Sequence, residues 1–157
     1  MRNFFMGLVI VCTFVVFGTW IFAAMPGPDA NALWAYITKD FPYTQWAQWT
    51  DYQGMQPGRA PHGVYNRVYV NDRLQDSSQV PVQYGSIEVK ENYGEDKELK
   101  SITVMYKIES YNPQDGDWFW AVYAPNGKTL EAGKIASCIG CHGTRAKNDF
   151  IIVHDLP

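Results

Sequence analysis

The most chemically specific residues in the chain are consecutive: Cys138-Ile139-Gly140-Cys141-His142. Two thiols three positions apart, with an imidazole directly after the second, suit covalent attachment of c-type haem. The sulfurs add to the two vinyl groups and the histidine is set beneath the iron. Other chemistry uses the same cysteine spacing. A thioredoxin-like redox pair wants a strand-to-helix setting inside a βαβ unit, and zinc wants two further ligands at a second knuckle. An exported CxxC can also simply oxidise to a disulfide. The adjacent histidine and the export signal at the other end of the chain together favour one covalently held haem c, with Cys138 and Cys141 as attachment points and His142 as proximal iron ligand.

That signal is the run from Phe4 to Ala24, which carries no charge, follows Arg2, and is broken by Pro26, Gly27 and Pro28. It is longer than the roughly 7–15 residues of a cleavable core and close to the ~20 that span a bilayer, so signal peptide and membrane anchor both remain open. Residues 1–28 form this segment, and residues 29–157 are expected to form one haem-binding domain on the exported, periplasmic side, because the positive flank stays in the cytoplasm. Cys12 lies within the apolar run and is given no chemistry. A net charge of −3 with no dense run of Lys and Arg excludes nucleic acid as a partner. Three cysteines are too few, and odd in number, for a disulfide framework.

The elements that must position the motif read as an antiparallel sheet with short helices. Asp29 is a plausible N-cap for a helix carrying Leu33, Trp34 and Ile37, which Phe41-Pro42 stops. The Gly- and Pro-rich stretch from Gln53 to Gly63 reads as a loop. Residues 63–72 alternate, with Val64, Asn66, Val68 and Val70 on one face and Tyr65, Arg67 and Tyr69 on the other. Residues 85–93 alternate again, and the polar turn at Gly94–Lys97 leads into 99–110 as the second arm of a hairpin. A fourth strand, 117–124, is closed by Pro125-Asn126-Gly127. Trp118, Phe119 and Trp120 in it are assigned to the core. With no alternation of strands and long helices, the class is α+β: a single sheet-dominated domain preceded by one N-terminal hydrophobic helix.

The blocks RAPHGVYNRVYVND (59–72), GSIEVKENY (85–93), GDWFWAVYAPNG (116–127), CIGCH (138–142) and NDFI (148–151) occur in an order that resembles the cytochrome P-460 family and its cytochrome c-prime-beta relatives. The resemblance implies a small antiparallel-sheet haem protein, usually a homodimer, with a proximal histidine and an open distal position. It also implies that Lys90, matching the family's lysine, joins covalently to a meso carbon of the haem. An amine bonded there would interrupt conjugation and ruffle the ring, and would have to be neutral to react. Burial against an apolar haem face lowers a lysine pKa in the needed direction, whereas on alternation alone Lys90 belongs to a solvated face.

Family members oxidise hydroxylamine, and the c-prime-beta relatives bind nitric oxide behind an apolar cap. Hydroxylamine oxidation releases protons, so a base is expected beside the bound nitrogen. The family enzymes place a glutamate on the strand after the lysine strand; here that strand offers Thr103 and Met105, with no carboxylate before Glu109. Glu88 shares Lys90's face and is expected to face solvent. His62 and Met105 are candidate sixth ligands, or else an ordinary loop histidine and a packing methionine. The sequence thus points to a mono-haem protein with redox chemistry on hydroxylamine or nitrogen oxides, delivering electrons to a partner cytochrome or quinone-linked chain. The alternatives are a nitric-oxide-binding protein and a membrane-tethered electron carrier.

Overall fold

The computed structural model describes residues 24–157, so the apolar leader lies almost wholly outside the described residues. Among the described residues no helix is long and apolar enough to cross a membrane. Helix α1 (Ala30–Ala35) begins where Asp29 accepts the Ala32 amide at 2.7 Å, then widens into a π-helical turn that ends at Phe41 before Pro42. The expected cap and stop are therefore both present.

Six strands follow as an antiparallel meander: β1 (Gln56–Pro57), β2 (Tyr65–Val70), β3 (Ile87–Tyr93), β4 (Leu99–Lys107), β5 (Trp118–Tyr123) and β6 (Thr129–Gly133). Helix α2 (Asp72–Gln75) is capped by Asn71 and carries the chain from β2 towards β3. The anticipated hairpin pairs β3 with β4, turning where Gly94 exchanges backbone hydrogen bonds with Lys97 and Glu98. Two strands were not anticipated. β1 is a two-residue edge within the Gly/Pro-rich loop, and β6 is an edge strand whose residues are exposed on both sides, so neither carries an alternating pattern.

Period-2 alternation gives the sheet two unlike faces. On the first, Ile87, Val89, Ile102, Val104, Tyr106, Phe119, Ala121 and Tyr123 pack under Leu33 of α1 and Ile37 of the π-helical turn. Each fully buried Leu or Ile contributes on the order of 1.5–3 kcal/mol. The second face mixes apolar side chains such as Val68, Met105 and Trp118 with Glu88, Lys90, Asn92 and Lys107, all of which are buried. Helix α3 (Ala136–His142) and the C-terminal segment cover it incompletely and leave a cleft over the polar strip.

Candidate functional site

Helix α3 holds the motif. It follows the edge strand β6 of a wholly antiparallel sheet, so the cysteines do not sit in the βαβ setting of a thioredoxin-like pair. Cys138 and Cys141 are free thiols that line the cleft, and burial with nearby Glu131 pushes the Cys138 thiol up from its usual range. His142 ends the helix and is 5% exposed. Its Nδ1 lies 2.7 Å from the Phe150 carbonyl oxygen, which accepts the Nδ1 proton and leaves Nε2 with a free lone pair. Burial pushes the imidazole pKa down, opposed by that same hydrogen bond, so the ring is held neutral as a metal ligand must be.

The Phe150 carbonyl is itself held in place. Asp149 and Phe150 have φ of +48° and +67°, a left-handed pair that costs of order 1–3 kcal/mol per strained residue unless the surroundings enforce it. A buried carboxylate does so: Asp149 accepts from Lys107 Nζ at 2.7 Å through both oxygens and from the Val82 amide at 2.7 Å. Trp118 Nε1 donates to the Asp149 carbonyl at 3.0 Å. Nothing in the sequence pairs Lys107 with Asp149, although Asp149 falls in the NDFI block.

Cross-strand register arranges the cleft wall in rows. Glu88, Met105 and Trp120 face one another across β3, β4 and β5, and the Trp120 ring packs edge-on against His142 at 4.7 Å. The next row is Lys90, Thr103, Val122 and, on β6, the exposed Glu131. Beyond it lie Asn92 and Ser101; His62 rests against Asn92 of that row and Thr103 of the Lys90 row. Lys90 therefore lies one row from Trp120, which packs on His142, and in the same row as Thr103, which touches His62.

Two sequence expectations are corrected here. Lys90 is 6% exposed and Glu88 is 3% exposed; neither is on a solvated face. The reason is that α3 and the loop carrying His62 close over this side of the sheet, which alternation along a strand cannot reveal. Burial drives the Lys90 pKa down, with Glu88 opposing it from 4.0 Å, and favours the neutral amine. Glu88 is fixed by Trp49 Nε1, which donates to it at 3.1 Å. Trp118 and Phe119 are core, as expected, but Trp120 also lines the cleft, and its buried Nε1 has no protein partner. Met105 is buried in the His142 row.

His62 is, with Met105, one of two candidate sixth ligands in the sequence. Its Nδ1 lies 3.2 Å from Asn92 Oδ1 and 3.3 Å from Thr103 Oγ1, and its ring centre is 6.1 Å from that of His142. Burial, with Lys90 and His142 nearby, pushes its pKa down to about 3. His154, which had no assigned role, stacks on Trp49 at 4.1 Å and pairs with Asp51.

The cleft comprises two cavities of about 240 and 420 Å³ that share Pro61, His62, Lys90 and Cys141. Volumes of this order accommodate a cofactor. Two thiols at the mouth, a buried imidazole with a free Nε2, a largely apolar wall and an unpaired indole N–H fit a covalently held haem. The sequence matches the family described as Cytochrome P460 over residues 42–153. The chain belongs to the cytochrome P460 family. Its cofactor is accordingly haem c with iron, and the P460 match spans every strand of the sheet as well as α3. No curated protein matches the chain.

Proposed function

We propose that this P460 protein is an exported mono-haem cytochrome carrying out redox chemistry on hydroxylamine or nitrogen oxides. Cys138 and Cys141 hold the haem by thioether bonds, His142 ligates the iron through Nε2, and Lys90 is covalently joined to the macrocycle. The observation that carries this reading is Lys90: a buried amine, biased to its neutral form, that lines the same cavity as His142 and His62. The haem supplies one-electron chemistry at nitrogen, and the protein's part is binding, orientation and electrostatics. The Phe150 carbonyl fixes the His142 tautomer, and Glu88 and Trp49 hold the wall beneath it. Electrons leave to a partner cytochrome or quinone-linked chain.

The test is an optical and mass comparison of protein matured in a host competent for cytochrome c assembly. A red-shifted ferrous band lost in Lys90→Ala, with a haem-bridged Lys90 peptide in the wild type, supports the cross-link. Turnover of hydroxylamine with a chemical oxidant then supports the enzyme. Nitric oxide binding without turnover favours the gas-binding reading, which the placement of Glu88 in the His142 row supports, because that carboxylate is not beside His62. Haem-free protein, or haem retained when both cysteines are changed to alanine, overturns the attachment.

A further inference from the structure

We propose that the buried pair of Lys107 and Asp149 is the positioning device of the proximal imidazole: it holds the Phe150 carbonyl against His142 and, through that hydrogen bond, sets the reduction potential of the iron. This rests on the haem reading above at His142. The Phe150 carbonyl can only accept, so His142 Nδ1 is the donor across their 2.7 Å contact. A proton shared with a fixed carbonyl makes the opposite ring nitrogen more basic, and a more electron-rich ligand favours ferric over ferrous iron. The strength of this bond is therefore a redox setting, and it depends on what holds residue 150.

The chain around Phe150 holds it poorly by itself. Phe150 follows a short 3₁₀ segment, Gly143–Asn148, and both it and Asp149 have positive φ, a backbone that a phenylalanine adopts only under constraint. The Asp149 and Phe150 amides reach back to the Ala146 and Arg145 carbonyls at 3.1 and 3.0 Å, which leaves the seating of the turn on the sheet to other contacts. Those contacts come from the sheet side. Lys107 ends β4 opposite Trp118 of β5, and its ammonium donates to both Asp149 oxygens at 2.7 Å and to the Gly116 carbonyl at 2.9 Å. Trp118 Nε1 donates to the Asp149 carbonyl at 3.0 Å, and the Val82 amide to its carboxylate at 2.7 Å. Three donors from three separate segments thus converge on the residue beside the critical carbonyl. An apolar pair of the same volume commonly stabilises a fold as well as a buried ion pair does, but it cannot aim a carbonyl.

The experiment uses the full chain with haem attached, confirmed by intact mass, so that failure of attachment is seen separately from failure of this inference. Its readouts are the midpoint potential and, by resonance Raman, the iron–histidine stretch of the ferrous form. In the double variant Lys107→Met with Asp149→Leu both charges leave together, so the net charge near the iron is unchanged while the clamp is lost. The potential is expected to rise and the stretch to fall. The expected size is about tenfold in the ferrous-to-ferric ratio at fixed potential, which is about 59 mV for one electron. Leu33→Ala is the control: it loosens the core on the other face of the sheet and should lower thermal stability while leaving both readouts at wild-type values. A double variant with wild-type potential and stretch, or a Leu33→Ala variant that moves them as far, overturns the inference. Should the double variant fail to retain haem, Lys107→Met with Asp149→Asn decides, because asparagine tolerates the left-handed backbone. Its potential must rise in the same direction, and an unchanged potential overturns the inference.

Discussion

Replacing Lys107 with methionine tests whether the buried pair beneath the site holds the fold in the way its geometry requires. The side chains of Lys107 and Asp149 are 4% and 3% exposed, and the ammonium also donates to the Gly116 carbonyl at 2.9 Å and lies 4.9 Å over the Trp118 ring. Lys107→Met leaves the Asp149 carboxylate buried with only the Val82 amide and the Trp118 indole to solvate it. Stranding a buried charge in this way costs about 3–5 kcal/mol. The protein contains its own control, since Lys100 and Asp96 form a 2.7 Å pair at the surface, where solvent screens the charges and Lys100→Met is expected to cost little. Urea denaturation of the haem-loaded protein, followed by far-UV circular dichroism, reads the difference. With a slope of ~2 kcal/mol per molar, the Lys107→Met midpoint falls by about 2 M while that of Lys100→Met barely moves. The double variant Lys107→Met with Asp149→Leu should recover part of the loss, because no unpaired charge remains. Equal midpoints for the two single variants would refute the argument that burial, rather than ion pairing as such, sets the magnitude.

Gly63, next to His62, has φ of +72°, and a Cβ there would collide with the Tyr93 carbonyl oxygen and stand 3.0 Å from the Tyr93 nitrogen. Gly63→Ala should lower stability by at least about 2 kcal/mol in thermal denaturation and disturb the His62 loop. Gly140, between the two cysteines, has open space at its Cβ, so Gly140→Ala is expected to keep haem attachment and to be neutral or stabilising by up to ~1 kcal/mol. Tyr106 donates to the Pro26 carbonyl at 2.8 Å, and burial pushes its pKa from 10.0 up to about 12. The unfolded chain releases that proton first, so stability is intact below pH 10 and declines as pH rises towards 12. The decline amounts to about 2–3 kcal/mol for this group. Tyr106→Phe should flatten that alkaline limb in pH-dependent denaturation, and an unchanged slope would sink the assignment.

Cofactor chemistry was legible because it is local. Cys138, Cys141 and His142 lie within five consecutive residues, so their types and spacing carry the meaning before any fold exists. Alternation likewise fixed β2 to β5 and the hairpin at Gly94, since a strand with unlike faces writes its period into the chain. The edge strands left no such trace: β6 is exposed on both sides and β1 is two residues long. What lies opposite a face is a different kind of information. Whether Lys90 and Glu88 meet water or a cleft depends on α3 and the His62 loop, which are distant in sequence. The same holds for Lys107 meeting Asp149, and for His62 meeting Asn92 and Thr103. Spacing along one segment determines which atoms can react. Only the packing of separate segments, through burial and the hydrogen bonds it makes obligatory, decides their protonation, their tautomer and the direction in which they face.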